Sequence, residues 1–357
     1  MSVGVWVPTP TSSISSDRTV GRPQRQTVNR LRTLFLGGTG IISSACVSEA
    51  LAAGHEVTVV NRGTTTHRPL PNGVRAITAD VRDPNSVDPA LGVETFDVVA
   101  DFLSFTPDQV QSHIDRWAGK VGQYIFISSA SAYQTPPARL PVVESTPLRN
   151  PVWQYSRDKI ACEDMLVGAY RRTGFPMTIV RPSHTYDRTS LPFHGGWTHI
   201  ERMRRGKPVI VHGDGTSLWT LTHHRDFARA FVGLFGDVRN HGDAFHITSD
   251  EVLTWDQIAH ALASAAGVEA NIVHISSGAI AAAGVDADWG DSLVGDKAHS
   301  LFFDNSKIKA AVPGWRAEIP YWRGAREIIE WHDADISRRV IDDDLDAAMD
   351  RLIARFS

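Results

Sequence analysis

Mostly apolar runs of four to six residues recur along the first half of the chain, separated by longer stretches of mixed polarity. Runs of this length are typical of strands buried in a parallel sheet, and the stretches between them are long enough for helices. Five strands are predicted: Thr33–Leu36, Val57–Val60, Val74–Ala79, Phe96–Ala100 and Tyr124–Ile127. Strands that alternate with helices form right-handed crossovers, so the predicted fold class is α/β with a doubly wound parallel sheet.

A glycine-rich turn, Gly37-Gly38-Thr39-Gly40, joins the first strand to a helix that Gly54 is predicted to end. Glycines let the backbone turn tightly and approach a pyrophosphate, whose charge then lies on the free N–H groups at the helix N-terminus. Ser43 stands where the pattern has a third glycine, so we expect the helix to lie slightly further from the strand. The alternative is a tight turn without a ligand. The expected dinucleotide-binding residues are Gly37, Thr39, Gly40, Ile41 and Ile42.

The ends of the second and third strands bear on the choice of cofactor. Folds of this kind usually present an acid to the ribose hydroxyls of NAD after the second strand, but here Asn61 and Arg62 follow. An uncharged Asn followed by Arg suits a 2′-phosphate, so NADP is slightly favoured over NAD; alternatively, Arg62 stacks on adenine or faces solvent. Asp80 and Val81 end the third strand, where the acid can accept a hydrogen bond from adenine. Equally, Asp83 can cap the next helix.

A tyrosine and a lysine are spaced for acid–base chemistry. Tyr155 and Lys159 lie four residues apart in a segment predicted to be helical to about Arg172, which places them on one face. An ammonium beside a phenol lowers the pKa of the phenol, and a cationic nicotinamide adds to that effect. Tyr155 can then act as a base on a substrate alcohol, with Ser129 sharing the hydrogen bond. The alternative is a surface tyrosine and lysine that align by chance.

Composition excludes few classes of protein, but it indicates which partners and which cellular compartment to expect. The chain has 357 residues, enough for a large core, and a net charge of −4, which gives no general attraction to nucleic acid or anionic membranes. Cys46 and Cys162 fall in predicted helices and are expected to be core residues in a reducing compartment. No apolar run approaches the roughly 20 residues that span a bilayer. We therefore expect a cytoplasmic protein that does not bind membranes.

Residues 1–30 are predicted to lie outside the fold. They are rich in Ser, Thr, Pro and Arg, and their longest apolar run, Val3–Val7, is too short for a signal-peptide core. We expect a flexible basic tail that packs on a neighbouring subunit. An arm that binds nucleic acid is a less favoured alternative.

Four motifs in order resemble those of extended short-chain dehydrogenases/reductases, and more narrowly the NAD-dependent epimerase/dehydratase family of sugar-modifying enzymes. They are Gly37-Gly38-Thr39-Gly40, the serine-rich end of the fifth strand at Ser128–Tyr133, Tyr155-x-x-x-Lys159 and Arg181-Pro182-Ser183-His184-Thr185-Tyr186. The resemblance runs from about Leu31 to Trp315. It implies a Rossmann-type NAD(P)-binding domain at 31–185 and a smaller C-terminal α/β substrate-binding lobe at 186–320, with the chain partly crossing back. Residues 321–357 are predicted to be a C-terminal helical extension.

The resemblance also implies roles for individual residues. Ser129, Tyr155 and Lys159 become the catalytic trio, and His184 falls where relatives usually carry an Asn that contacts both substrate and cofactor. Further cofactor contacts are expected from Phe102, Leu103, Ser128, Pro182 and His184. Substrate contacts are expected from Ser104, Ser131, His184, His194, Trp219 and Arg225. The histidine spacings in the second lobe give no metal-ligand set, so no metal is expected.

Two departures from the family pattern concern the substrate. Relatives that act on nucleotide-diphosphate sugars carry two arginines that bind the diphosphate. By the family's spacing, Trp219 and Leu293 occupy these two positions here. We therefore predict a nucleoside, sugar or sugar monophosphate as substrate rather than a nucleotide-diphosphate sugar. Five cations remain as possible substitutes for the two arginines: Arg202, Arg204, Arg205, Arg225 and Lys297.

The predicted activity is that of a sugar epimerase or dehydratase that transiently oxidises a sugar hydroxyl with NAD(P). Dehydratases of the family often carry Asp-Glu beside the catalytic Ser/Thr, whereas Ala130 and Ser131 stand here, which favours an epimerase. An NADPH-dependent carbonyl reductase is the first alternative. A non-catalytic nucleotide- or RNA-binding relative is the second, although nucleic acid is an unlikely partner for an acidic chain. The expected assembly is a homodimer.

Overall fold

The computed structural model describes residues 30–65 and 67–356, so the predicted tail lies outside the described residues except for Arg30. Its strands are β1 Arg32–Leu36, β2 Glu56–Asn61, β3 Arg75–Thr78, β4 Phe96–Asp101, β5 Val121–Ile127, β6 Met177–Pro182, β7 His184–Tyr186, β8 Val209–His212, β9 Leu218–Trp219, β10 Leu221–His223, β11 Asp243–Ile247, β12 Leu253–Thr254 and β13 Ile272–Ile275. Its helices are α1 Ile41–Ala52, α2 Pro84–Leu91, α3 Pro107–Trp117, α4 Gln154–Thr173, α5 Trp197–Arg204, α6 His224–Gly233, α7 Trp255–Ala265, α8 Ser277–Ala282, α9 Ala287–Ser292, α10 Ser306–Ala311, α11 Tyr321–Asp333 and α12 Asp343–Phe356.

Seven parallel strands form the central sheet, in the order β11-β6-β5-β4-β1-β2-β3. The predicted α/β fold class and all five predicted strands are confirmed, whereas β6 and β11 were not predicted as strands. The strand order reverses between β1 and β4, which pair through Thr33–Leu36 and Val98–Asp101. In sheets of this type the ligand binds beyond the C-terminal strand ends at such a reversal. The glycine turn after β1 and the residues after β4 meet there.

Helices cover both faces of the sheet. One core joins Phe35 and Val59 to α1 and to Phe231 of α6, and the other joins Val99 and Phe126 to α3 and α4. Strands buried on both faces are apolar along their whole length, which is why their sequence signal is a continuous run. The two cysteines, Cys46 and Cys162, are free and buried in these cores.

The second lobe has its own core, formed mainly by α5, α7 and α11 around small two-stranded sheets. α11 contributes Tyr321 and Ile328, both fully buried, so the predicted C-terminal extension is partly built into this lobe. α6, β11 and α10 contribute to the first core, so the chain returns to the central sheet after β10. Within the described ranges, no helix is both long and apolar enough to cross a membrane.

Local capping explains where several helices begin. Thr106 is the N-cap of α3, with Pro107 at the first helical position, and Thr254 with Gln257 forms the capping box of α7. Asp83 accepts a hydrogen bond from the backbone N–H of Asn85 at 2.9 Å and caps α2. The capping role left open for Asp83 is therefore confirmed.

A buried ion pair ties α4 to the sheet. Arg181 of β6 donates two hydrogen bonds to the carboxylate of Glu163 on α4, at 2.9 and 2.5 Å, and both side chains are almost completely buried. The hydroxyl of Ser128, at the end of β5, donates to the same carboxylate at 2.5 Å. The guanidinium also lies over the Tyr133 ring, 4.8 Å from its centroid. This network fixes α4 against the ends of β5 and β6.

The network predicts a large effect of removing one charge. We expect Glu163→Gln to lower the free energy of unfolding by about 3–5 kcal/mol, because Arg181 would keep a buried charge without its partner. Glu94→Gln is the matched control, since Glu94 pairs with Arg75 at 2.8 Å in a largely exposed position. The control is expected to cost about 1 kcal/mol or less. Urea denaturation followed by circular dichroism measures both; equal losses would contradict the structural role assigned to Glu163.

Candidate active site

The turn between β1 and α1 can be formed only by glycines. Gly37 has φ of +84°, and a Cβ there would lie 2.6 Å from Cγ of Leu103. A Cβ on Gly38 would lie 2.6 Å from Cγ1 of Val59 and 3.2 Å from the side chain of Val47. The backbone of the turn is therefore bare and closely packed, as the approach of a pyrophosphate requires.

Ser43 has a role that the sequence did not predict. It is buried in α1, and its Oγ accepts a hydrogen bond from the N–H of Gly40 at 2.9 Å. The first N–H groups of a helix have no intrahelical acceptor, so those of Ile41 and Ile42 face outward from the N-terminus. A glycine-lined turn followed by these donors fits the pyrophosphate of a dinucleotide.

The ends of β2 and β3 carry two arginines near the position expected for the adenosine. Arg62 is exposed and, in the part of the chain that the structure describes, forms no hydrogen bond or ion pair. Asp80 accepts a hydrogen bond from the backbone N–H of Arg82 at 3.1 Å, and this bond, aided by the charges of Arg82 and Arg62, lowers the pKa of Asp80. Asn61 accepts from the N–H of Gly63 at 2.9 Å, so its amide oxygen is turned toward its own loop. Arg62 is left as the free cation of this group.

Ser129 and Tyr155 meet at one end of a cavity of about 540 Å³ between the sheet and the second lobe. The hydroxyl of Ser129 lies 2.8 Å from that of Ser131, which in turn accepts from Ser156 at 2.8 Å. The Tyr155 ring packs against Trp153, with 5.0 Å between the ring centroids. A chain of three hydroxyls thus starts beside the phenol and leads into the protein.

Lys159 is buried, and its ammonium donates hydrogen bonds to backbone carbonyl oxygens. Its Nζ donates to the carbonyl oxygens of Ser104 and Ile127 at 2.7 and 2.8 Å, and lies 6.0 Å from the centroid of the Tyr155 ring. Burial lowers the pKa of Lys159 to about 8, against the raising effect of Asp101. The ammonium therefore binds the ends of β4 and β5 rather than the phenol oxygen.

The expected effect of Lys159 on Tyr155 is wrong for this structure. The pKa of Tyr155 is raised, mainly because burial disfavours the phenolate and further because Asp296 is nearby; the Ser129 hydroxyl opposes the rise. The spacing of four residues does place both side chains on one face, but the ammonium is taken up by carbonyl oxygens. Tyr155 is consequently a neutral phenol at pH 7.

Seven of the predicted site residues line the cavity: Ser129, Ser131, Tyr155, Pro182, His184, His194 and Trp219. Trp219 donates from Nε1 to Nδ1 of His184 at 3.1 Å, which places the ring proton of His184 on Nε2. Burial lowers the pKa of His184 to about 3, so the ring is neutral. His194 stacks on Trp289, with ring centroids 5.1 Å apart, at the edge of the cavity.

Two predicted substrate contacts are placed elsewhere. The Ser104 side chain is buried and does not line the cavity, and its carbonyl holds Lys159. Arg225 is half-exposed and donates to Glu327 at 2.5 Å, because α11 packs beside the start of α6. Neither residue retains its predicted role.

Three predicted cofactor contacts have side chains that point into the protein. Phe102 stacks on Phe35, with ring centroids 6.1 Å apart, and Val81 is buried in the core on the other face of the sheet. The Ser128 hydroxyl donates to Glu163. At strand ends, alternate side chains enter the core, so only the backbone of these residues remains at the predicted site. Leu103, by contrast, lies directly over Gly37.

Several cavity residues were missed by sequence reasoning. A five-residue π-helix, Leu293–Lys297, follows α9 and presents Asp296 and Lys297 to the cavity. Burial raises the pKa of Asp296 to about 6 and lowers that of Lys297. Short π-helices of this kind are often found at functional sites, but no pattern in the sequence predicts them. Trp255, Trp289, His199 and His212 complete the walls.

The two positions at which relatives carry arginines do face the cavity, since Trp219 and Leu293 both line it. Of the five possible substitutes, only Lys297 lines the cavity; the arginines pair with acids elsewhere. Arg202 binds Asp346 and Asp350 of α12, Arg204 binds Asp333, Arg205 binds Glu201 and Arg225 binds Glu327. Among the described residues, no group of three or more His, Cys, Asp or Glu side chains is arranged to hold a metal ion.

A model of the NAD-dependent epimerase/dehydratase family matches residues 33–248. The chain belongs to this family. It is therefore an NAD-dependent enzyme of the short-chain dehydrogenase/reductase superfamily, and the predicted resemblance is confirmed. The glycine turn and the α1 N-terminus described above fit the dinucleotide of this family.

Three individual similarities span most of the enzyme. It is 25% identical over 335 residues to chloroplast stem-loop binding protein of 41 kDa b from Arabidopsis thaliana, covering 90% of this chain and 84% of that protein. It is 28% identical over 250 residues to 2′-dehydrokanamycin reductase from Streptomyces kanamyceticus, covering 68% of each. The structure of UDP-glucuronic acid 4-epimerase from Bacillus cereus superposes with a TM-score of 0.68 at 18% identity, over 85% of this chain and 99% of that one.

Tyr155→Phe is expected to abolish turnover and leave cofactor affinity nearly unchanged. The phenol hydroxyl is lost, whereas the glycine turn and Lys159 still hold the dinucleotide. Loss of a general acid or base typically costs about 10²–10⁴-fold. Steady-state kinetics with fluorescence titration of the cofactor measures both quantities. Tyr170→Phe, on the exposed far end of α4, is the control; activity of the Tyr155 variant within tenfold of wild type would contradict the catalytic assignment.

Proposed function

We propose that the enzyme transiently oxidises a hydroxyl of a small sugar, nucleoside or sugar monophosphate, leading to epimerisation or dehydration, and does not act on a nucleotide-diphosphate sugar. One observation carries the proposal. Among the described residues, no arginine lines the cavity that holds Ser129 and Tyr155, and Lys297 is its one clearly cationic side chain. A buried diphosphate without such partners would be severely unfavourable.

Different residues of the chain have different roles at the reacting carbon. Tyr155, in its phenolate form, would accept the hydroxyl proton as hydride leaves the carbon and return it as hydride comes back, and Ser129 would orient the substrate oxygen through its hydroxyl. An ammonium has three donors, and Lys159 uses two on carbonyl oxygens, so the third is left for a ribose hydroxyl of the cofactor. When bound, the nicotinamide accepts and returns the hydride. The hydroxyls of Ser131 and Ser156 hold Ser129 in position through the hydrogen-bonded chain described above.

The preference for epimerisation over dehydration is weaker than the sequence indicated. That preference rested on Ala130 and Ser131, which stand where dehydratases carry acids. Asp296 supplies a carboxylate to the same cavity from a distant part of the chain. A group with a pKa of about 6 can act as an acid or a base near neutral pH, so both outcomes stay within the proposal.

Net reduction of a ketone by NADPH is the second candidate, and the state of Tyr155 favours it. A phenol with a raised pKa keeps its proton and is suited to donate it to a carbonyl oxygen as the hydride arrives. The Streptomyces kanamyceticus relative is named a reductase, which supports this direction. The cofactor that the purified enzyme retains distinguishes the two reactions. Tightly retained NAD(+) favours the redox-neutral reaction, and freely exchanging NADPH favours reduction.

A non-catalytic role in binding RNA has one supporting observation, the name of the Arabidopsis thaliana relative. Ser129, Tyr155 and Lys159 are all present, and the net charge is −4, so catalysis is the better-supported role. The homodimer stays a prediction, which light scattering of the purified protein would test.

The diphosphate exclusion predicts the outcome of a binding panel. At fixed ionic strength, we expect nucleosides, sugars or sugar monophosphates to bind, and UDP-, dTDP- and GDP-sugars to bind at least tenfold more weakly, because no arginine fork is available. Calorimetry measures the affinities. The fold itself permits such ligands, since a structural neighbour is a UDP-glucuronic acid epimerase crystallised with that sugar nucleotide. Micromolar affinity with turnover for any nucleotide-diphosphate sugar would refute the proposal.

The free Arg62 predicts a preference for NADP. Arg62→Ala should weaken NADP binding by about 1.5–3 kcal/mol, the range for a hydrogen bond to a charged group, and leave NAD binding nearly unchanged. Arg82→Ala is the control, because Arg82 already contacts Asp80 at 3.5 Å. Calorimetric titration with both dinucleotides is the measurement. Equal losses for NAD and NADP would instead assign Arg62 to stacking on adenine.

A further inference from the structure

The charged side chains that line the cavity are Asp288, Asp296 and Lys297. Three histidines on its walls, His184, His199 and His212, have pKa values lowered by burial to about 3 or 4. They are neutral at pH 7 and add no positive charge. Two carboxylates against one ammonium leave the cavity with a net negative charge.

Among the described residues Asp296 has no hydrogen-bonded partner, and the charge of Lys297 offsets the effect of burial on its pKa only in part. Within residues 30–65 and 67–356, its carboxylate accepts no hydrogen bond and lies in no ion pair within 4.0 Å. The ammonium of Lys297 instead lies over the Trp153 ring, 5.4 Å from its centroid. The Asp296 side chain is half-buried and lines the cavity. A ligand that displaces water from a carboxylate must replace that water with a partner for the charge. A carboxylate that accepts no hydrogen bond inside a ligand cavity points to a positively charged group on the ligand.

The segment that carries Asp296 is held rigidly on both sides. Nδ2 of Asn150 donates to the carbonyl of Gly295 at 2.7 Å, and Nε2 of His212 donates to that of Lys297 at 2.9 Å. The charge of Asp296 also contributes to the raised pKa of Tyr155, so the carboxylate acts electrostatically on the phenol. A group bound to Asp296 is thus part of the same substrate that reacts at Tyr155.

The walls around Asp296 suit a cationic, hydroxylated ring. Trp153, Trp219, Trp255 and Trp289 line the cavity, and aromatic faces attract both cations and the C–H faces of sugars. Two buried ring nitrogens on these walls, Nδ1 of His199 and Nε1 of Trp255, have no hydrogen-bond partner in the described part of the chain. Both atoms are closed to solvent, so the ligand contacts on these walls are the aromatic faces rather than these nitrogens.

We infer that the substrate carries a protonated amino group bound by Asp296, which makes it an amino sugar or aminated cyclitol without a diphosphate. Asp288 lies at the exposed rim, where it accepts a hydrogen bond from Nε1 of Trp153 at 3.1 Å and adds to the negative potential. This inference rests on the proposed function, because it names the substrate class for the same cavity. A hydroxyl in place of the amine would leave the Asp296 carboxylate uncompensated.

The test compares ligands that differ only at the amine. Methyl glycosides of glucosamine, N-acetylglucosamine and glucose, with aminated and N-acetylated pseudo-disaccharides of larger size, are titrated calorimetrically into enzyme saturated with NADP. We expect each amine to bind about tenfold or more tightly than its uncharged analogue, as a hydrogen bond between charged groups predicts. Equal affinities, or no binding of any amine at millimolar concentration, would overturn the inference.

Variants test whether the preference for amines depends on Asp296. Asp296→Asn should reduce the preference for amines to less than about threefold, and Asp296→Glu should keep most of it. Asp291→Asn is the matched control, since Asp291 is an exposed aspartate of α9 that does not line the cavity. Thermal melts confirm that each variant is folded. An amine preference that persists in Asp296→Asn would show that another group binds the cation.

Turnover is measured separately, by loss or gain of reduced nicotinamide and by mass analysis of the sugar. Turnover of neutral sugars with no preference for amines would overturn the inference and leave the proposed function intact. Selective binding of amines with no hydride transfer in either direction would support the Asp296 site and contradict the proposed function.

Discussion

The buried ion pair between Glu163 and Arg181 is the interaction on which the geometry of the site depends. It joins α4, which carries Tyr155 and Lys159, to β6, which leads directly to His184, and the Ser128 hydroxyl attaches the end of β5 to the same carboxylate. Removing two charges from water is costly unless their hydrogen bonds are satisfied, and here the pairing is bidentate. Three separate stretches of sequence are thereby fixed relative to one another at the edge of the sheet that borders the cavity.

The sequence predicted the structural features that depend on residues close together in the chain. Glycines at a strand–helix turn, the possible cap at Asp83 and a tyrosine four residues from a lysine each depend on residues that are close in sequence. β6 was missed because Thr178 and Arg181 interrupt its apolar run, yet both are buried, through bonds to Asn240 and Glu163 that only the folded chain provides. Asp296 was missed for the same reason: nothing near it in sequence reveals that the π-helix faces Tyr155 across more than 140 residues.

The relation between Lys159 and Tyr155 shows the limit of spacing arguments. Two residues on one helical face share an environment, but the position of a long side chain's charge is set by the nearest strong acceptors. For Lys159 these are the carbonyl oxygens of Ser104 and Ile127, left without strand partners where β4 and β5 end. The ammonium donates hydrogen bonds to these carbonyl oxygens. The pKa of the Tyr155 phenol is therefore set by burial and by its neighbours Ser129 and Asp296. The protonation state of Tyr155 is therefore a property of the whole cavity rather than of the motif.

The loss of two arginines and the presence of Asp296 are consistent with each other. An aromatic side chain at Trp219 and an aliphatic one at Leu293 would by themselves only weaken the attraction for phosphate. Asp296, on the same π-helix as Leu293, goes further, because a carboxylate repels an anion at close range. Burial also removes the charge from the histidines, so Lys297 is the one cation on those walls that opposes Asp296 among the described residues. Both features belong to the proposal that the substrate lacks a diphosphate, and they support it independently, because one removes attraction for an anion and the other adds repulsion.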